Sequence, residues 1–158
     1  MARRIGEVII AQEKSVKNSS WVARKNILKK YRKYHYSSIR TVMTAHAGIP
    51  ASAFDDVTEL FGHKERIAQL LNVSTKTVKR YQDQKKKFDA SNSEMLLKLV
   101  AIFDKGIDVF GEKAAFLRWL EKPAYGLGKN IPFNMMRTSD GIDLVMEELV
   151  RIEYGDLA

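Results

Sequence analysis

The hydrophobic residues of this chain recur mainly three or four positions apart, which is the spacing of one face of an α-helix. The longest such stripe comprises Leu96, Leu99, Val100, Phe103, Ile107 and Phe110. It predicts a long helix whose buried face joins two halves of the protein. Ser91 and Glu94 have capping-box spacing and predict its start. Gly111 predicts its end, since glycine adopts the left-handed conformation that closes many helices.

Two more helices are predicted after Gly111. The apolar face of the first contains Ala115, Phe116, Trp119 and Leu120. Pro123 ends it, and a loop with two glycines follows from Tyr125 to Pro132. Thr138 is a predicted N-cap for the last helix. The buried stripe of that helix contains Ile142, Val145, Leu149 and Ile152, and its solvent face is expected to carry Asp143, Glu147 and Glu148.

The middle of the chain predicts two short helices separated by a tight turn. Ile67, Ala68 and Leu71 share one helical face, and Ala68 is small enough for a second helix to approach closely. The turn is Asn72-Val73-Ser74, in which asparagine tolerates a left-handed backbone and serine is a natural N-cap. The second helix is expected to bury Val78 and Tyr81 and to expose Thr75, Lys76, Thr77, Lys79 and Arg80. Val73 is expected to fill the core beneath the turn.

This arrangement is typical of a helix-turn-helix, in which the start of the second helix enters the major groove of DNA. Hydroxyl and basic side chains there can reach phosphates and base edges. The candidate DNA-binding residues are Ser74, Thr75, Lys76, Thr77, Lys79 and Arg80. An ordinary helical hairpin with a serine cap is the alternative interpretation, because short matches to this motif also arise by chance.

Charge is distributed unevenly along the 158 residues. The overall net charge is +8, with +9 in residues 1–50, +2 in residues 51–90 and −3 in residues 91–158. The basic N-terminal part and the mildly acidic C-terminal part suggest that the first binds a polyanion and the second binds a different partner. Apart from their charge, residues 1–50 give the least information about function. A helix is predicted from Ser20 through Tyr31, and the aromatic residues Tyr34, His35 and Tyr36 follow it.

Composition argues against several other classes of protein. The chain contains no cysteine, which excludes disulfides and thiolate metal sites and suits a reducing cytoplasm. No apolar run approaches the length of a membrane span or a signal sequence, so a soluble cytoplasmic protein is expected. His35, His46 and His63 lack metal-site spacing, and no phosphate-binding glycine loop is recognisable. We therefore expect no catalytic residues, no metal and no cofactor.

The C-terminal motifs together carry a family resemblance. In order, they are Trp119-Leu120, Pro123, Leu127-Gly128, Ile131-Pro132, Thr138 with Gly141, and Glu153-Tyr154-Gly155. Their order and spacing resemble the C-terminal domain of the Xre/MbcA/ParS antitoxins, the partners of RES-domain toxins. The resemblance starts clearly only near Gly48-Ile49-Pro50 and Phe54 and is weak in the residues before them. That family carries a helix-turn-helix ahead of the C-terminal domain.

The resemblance implies an all-α antitoxin that blocks an NAD-consuming RES-domain toxin and represses its own operon. The expected parts are a basic extension (1–50), a helix-turn-helix domain (51–105) and a toxin-binding domain (106–158). The expected partners are the toxin, operator DNA and a second copy of the chain, with no membrane contact. Because the family's C-terminal end approaches the toxin active site, the tail is the candidate toxin-binding segment: Tyr154, Gly155, Asp156, Leu157 and Ala158. The alternatives are a stand-alone transcriptional regulator and a nonspecific basic nucleic-acid-binding protein.

Overall fold

The computed structural model describes residues 20–34 and 38–155. These described residues divide into two units, one ending at Lys30 and the other beginning at Tyr31. Residues 20–34 are helical and are labelled α1, which confirms the helix predicted from Ser20 through Tyr31. In the first unit, the Lys25 ammonium lies 5.0 Å from the centre of the Trp21 ring. His35 and Tyr36 lie outside the described residues.

The second unit is built from helices and short connections. They are α2 (Ser38–Ala47), α3 (Ala53–Phe61), α4 (Lys64–Leu70), α5 (Thr75–Asp83), α6 (Ala90–Phe110), α7 (Lys113–Leu120), a 3₁₀ turn (Tyr125–Leu127), α8 (Pro132–Met135) and α9 (Ser139–Glu153). The described ranges contain no β-strand and only two isolated bridges, Pro50 with Lys87 and Ala124 with Asn130. The all-α prediction is confirmed.

Helix α6 is the central element, and it packs against α2, α3, α7 and α9. Its inner face is buried as predicted through Leu96 and Phe103, and Gly111 closes it in the left-handed conformation at φ 76°. The predicted capping box is wrong. Asp89 is the N-cap, and its carboxylate accepts a hydrogen bond from the Asn92 amide, so Ser91 already lies inside the helix.

A cluster of aromatic rings joins α3, α6 and α7. The ring centres of Phe61 and Phe103 are 5.4 Å apart, and those of Phe103 and Phe116 are 5.9 Å apart, both pairs packing edge to face. Gly106 makes this approach possible, because a Cβ there would lie 2.4 Å from the Phe116 ring.

The predicted domain boundaries after residues 50 and 105 stay predictions. Helix α6 runs across the boundary after residue 105.

Candidate functional sites

The connection between α4 and α5 has the geometry of a tight, capped turn. Asn72 has a positive φ of 52°, as its residue type predicts. The Val73 amide donates to the Ala68 carbonyl at 3.0 Å. Ser74 is the N-cap of α5, and its hydroxyl accepts a hydrogen bond from the Thr77 amide at 3.0 Å. Val73 is half-buried, so it fills the core less completely than expected.

Helix α5 has one buried face and one charged face. Val78 is fully buried, whereas Lys76, Lys79 and Arg80 are exposed, together with the N-cap Ser74. The other two candidate DNA-binding residues, Thr75 and Thr77, are only partly exposed, contrary to the expectation from sequence. The Thr77 hydroxyl lies 2.9 Å from the Ser74 hydroxyl, so its side chain is turned toward the cap.

The last turn of α5 is tied to α3 through Gln82. The Gln82 side-chain amide donates to the Asp55 carboxylate at 2.8 Å and to the Ala51 carbonyl at 3.4 Å. Tyr81, which was expected to be buried, is only half-buried, and its ring centre lies 6.0 Å from that of Phe88. The basic run that follows, residues 85–87, is exposed. Lys76, Lys79 and Arg80 therefore project from a helix that is anchored to its neighbours through Gln82 and Tyr81.

A second distinctive arrangement lies between the 3₁₀ turn and α9. Glu148 was expected at the surface, and that prediction is wrong: only 4% of the residue is exposed. One carboxylate oxygen accepts the Gly126 amide at 3.1 Å, and the other accepts the Arg151 Nε at 2.9 Å. Arg151 also donates to the Gly126 carbonyl at 3.3 Å. We call Gly126, Glu148 and Arg151 the loop clamp.

The predicted toxin-binding tail is only partly within the described residues. Tyr154 and Gly155 follow α9 directly and are exposed, whereas Asp156, Leu157 and Ala158 lie outside the described residues. Sequence reasoning missed Tyr125, which is 77% exposed on the 3₁₀ turn. The available signal was an aromatic residue between Ala124 and Gly126 in a loop. The loop clamp gave no comparable signal, since Gly126 and Glu148 are 22 positions apart.

A groove of about 520 Å³ lies beside α2, α6 and α9, with Val42, Lys98 and Met146 among its lining residues. Lys98 forms ion pairs with Asp143 at 2.7 Å and Glu94 at 3.2 Å. A hydrogen bond from the Ser139 hydroxyl, aided by Lys98, holds the pKa of Glu94 below its usual value, although partial burial opposes the shift. Burial lowers the pKa of Lys98, but its two carboxylate partners outweigh that effect and raise it.

Within residues 20–34 and 38–155, no group of three or more histidine or acidic side chains is arranged to hold a metal ion. Over the same two ranges, none of the helices combines the length and apolar character that crossing a membrane requires.

Comparison with known proteins identifies the class of the C-terminal part. Residues 105–155 match the family described as the antitoxin Xre/MbcA/ParS C-terminal toxin-binding domain. This range includes α7, the 3₁₀ turn, α8, α9 and the whole loop clamp. Residues 105–155, with the surface formed by the turn and α9, are therefore a toxin-binding domain of an antitoxin.

Two curated relatives extend the similarity upstream. The chain is 31% identical to an Antitoxin Xre of Photorhabdus laumondii over 111 residues, which are 68% of this chain and 74% of the relative. It is 26% identical over 93 residues to an Antitoxin Xre of Yersinia enterocolitica, covering 58% of this chain and 63% of that relative. The chain belongs to the Xre family of antitoxins, and its partner is a toxin.

Proposed function

We propose that this antitoxin binds and blocks an NAD-consuming RES-domain toxin through residues 106–158 and represses its own operon through α4 and α5. The proposal that the protein binds a toxin rests on the match of residues 105–155 to a toxin-binding domain. The ordered motifs from Trp119 to Gly155, which resemble those of RES-toxin partners, support the choice of toxin. The tail beginning at Tyr154 is proposed to cover the entrance of the toxin active site.

The DNA-binding proposal is supported by the geometry of α5. Its N-terminus is capped, its inner face is fixed by Val78 and Gln82, and three exposed cationic side chains project from its outer face. A recognition helix needs this combination, because a side chain that reads a base edge must approach the groove from a fixed backbone. Lys76, Lys79 and Arg80 are proposed to contact phosphates and bases, with Ser74, Thr75 and Thr77 at the helix start.

A homodimer is proposed because helix-turn-helix proteins commonly read two half-sites related by two-fold symmetry. Helix α2 supports it with a stripe of apolar side chains in solvent: Ile39 is 74% exposed, Val42 49% and Met43 68%. These residues share one helical face, and burying it against a second copy would remove it from water. Replacing Ile39 and Met43 by lysine should convert the protein to a monomer in sedimentation velocity. Leu144→Lys, at an exposed position on α9, is the control and should not.

The function as a whole is tested by expressing the chain with the toxin encoded in its operon. The toxin alone should deplete cellular NAD, and co-expression of the antitoxin should restore both NAD and growth. A toxin that arrests growth while NAD stays constant would contradict the RES assignment. In a gel shift, the protein should bind DNA from upstream of its operon more tightly than a scrambled duplex of equal length. Equal affinity for the two duplexes would contradict autorepression through a specific operator.

A further inference from the structure

The loop clamp satisfies both backbone polar groups of Gly126 with side chains from α9. The Gly126 amide binds Glu148, and its carbonyl binds Arg151. The contact is so close that a Cβ at position 126 would lie 2.0 Å from the Glu148 carboxylate. Burying a carboxylate is unfavourable unless it is paired and hydrogen-bonded, and Glu148 meets that condition through these two partners.

The clamp does not build the internal shape of the loop. Within the loop, Ala124 accepts the amides of Leu127 at 3.2 Å and Lys129 at 2.9 Å, and the Ala124 amide donates to the Asn130 carbonyl at 3.0 Å. These bonds close the turn on itself without α9. The contribution of Glu148 and Arg151 is therefore positional: they fix where the turn lies along α9.

Two solvent-exposed tyrosines lie close to the residues of the loop clamp in the sequence. Tyr125 is 77% exposed and precedes Gly126, which Arg151 contacts directly. Tyr154 is 80% exposed and directly follows the end of α9, three residues after Arg151. Arg151 thus contacts the residue that follows Tyr125, and it precedes Tyr154 by three positions in the chain. Exposed tyrosine is common at the energetic centres of protein interfaces, because a rigid amphipathic ring buries much area at little entropic cost.

We propose that Tyr125 and Tyr154 form a two-tyrosine surface that docks on the toxin, and that the loop clamp holds these residues in register. The occupant is the toxin, since both residues lie within the range that matches a toxin-binding domain. The chemistry predicts two apolar depressions on the toxin, each with a hydrogen-bond acceptor for a phenol hydroxyl. Tyr125 and Tyr154 are the contact residues, while Glu148 and Arg151 act as positioning residues. The inference rests on the proposed toxin complex and adds its contact surface.

The contact is tested by measuring the affinity of the full-length antitoxin for immobilised toxin. Tyr125→Ala should weaken binding at least about 30-fold, equivalent to about 2 kcal/mol, with thermal unfolding unchanged because the residue is exposed. Tyr125→Phe should lose far less, since it keeps the ring. Trp21→Ala, another exposed aromatic residue, is the matched control and should bind like the wild type.

The positioning role is tested with a double-mutant cycle. Glu148→Ala should weaken toxin binding in the wild-type background but add little once Tyr125 is alanine, because there is then no ring to position. Additive losses would show that Glu148 acts independently of Tyr125 and would overturn its positioning role. Toxin affinity within two-fold of wild type for both Tyr125→Ala and Tyr154→Ala would overturn the docking surface while leaving the antitoxin function intact. Failure of the wild type itself to bind would overturn the proposed complex and this surface together.

Discussion

The guanidinium of Arg66 lies 3.7 Å from the centre of the Phe133 ring, so a side chain of α4 rests on a side chain of α8. The same guanidinium binds both carboxylate oxygens of Glu121, the residue that follows α7, one of them at 3.2 Å. Arg66 therefore links the proposed helix-turn-helix to the toxin-binding domain through two kinds of contact. The planar, delocalised guanidinium suits both, since it can stack on a ring while its edge binds a carboxylate.

Replacing Arg66 by alanine should lower the free energy of unfolding by about 1–2 kcal/mol, through loss of stacking on Phe133 and of the pair with Glu121. Arg66→Lys is the matched variant. It keeps the charge but lacks the plane that stacks, and its stability should lie between those of the other two proteins. Urea unfolding monitored by circular dichroism measures the change. Equal stability of the alanine variant and the wild type would mean that this link contributes nothing to the fold.

Arg80→Ala should weaken operator binding by about 1–3 kcal/mol and relax the preference at one base position, if Arg80 reads a base. Replacing Lys85, Lys86 and Lys87 by alanine should instead weaken all sequences alike and reduce the salt dependence of binding, as loss of phosphate contacts does. Gel shifts with single-base operator variants at several salt concentrations separate the two. Unchanged binding and base preference after Arg80→Ala would remove this residue from a reading role.

The fold could be predicted from sequence where the signal is local. Helical spacing located α6 and α9, and the residue types of Ser74, Gly111 and Thr138 identified caps that the structure confirms. The error at the start of α6 arose because Asp89 and Ser91 are both good N-caps two positions apart. Local pattern does not decide which of them the tertiary contacts favour.

The candidate surfaces were less predictable because they depend on contacts between distant segments. Glu148 looks like any acid on the polar face of an amphipathic helix, and nothing nearby in sequence shows that a loop covers it. The Arg66 contacts join positions 55 and more residues apart. Periodicity assigns a residue to a face of its own helix, but a buried charge is recognised only when its partners are known.

Acid should destabilise the protein partly through Glu94. Its pKa is lowered mainly by the hydrogen bond from Ser139 and also by Lys98, so folding favours the ionised carboxylate. This contribution is present above the usual glutamate pKa of 4.5 and is lost as the pH falls through the lowered value in the folded state. Glu94→Gln should therefore flatten the decline in unfolding free energy between about pH 5 and pH 3. Glu65→Gln, at an exposed position on α4, is the control and should retain the wild-type decline.

Deleting residues 154–158 should weaken protection against the co-expressed toxin while leaving the helical circular dichroism spectrum almost unchanged. Tyr154 and Gly155 are exposed and follow the end of α9, so their removal takes little from the core. Growth rescue at graded levels of antitoxin expression measures the loss of protection. Rescue equal to that of the full chain would show that the tail is not the inhibitory element.

DNA binding and toxin neutralisation should be separable by charge. Residues 1–50 carry a net charge of +9, whereas residues 91–158 carry a net charge of −3. This difference suggests that the N-terminal part binds a polyanion and the C-terminal part binds a protein. Changing Lys76, Lys79 and Arg80 to glutamate places acids where the proposal expects phosphates, and operator binding should disappear. Neutralisation should persist, because these residues lie on α5, outside the range that matches the toxin-binding domain.

The matched control for this variant reverses three exposed cations elsewhere, Lys122, Lys129 and Arg137, and so changes the net charge equally. It should retain specific operator binding, with an affinity reduced only as far as the altered overall charge requires. If both variants lose the operator alike, net charge rather than the α5 surface governs binding. If the α5 variant folds normally but no longer neutralises the toxin, the two functions share a surface, because the only groups altered are the three cations of α5.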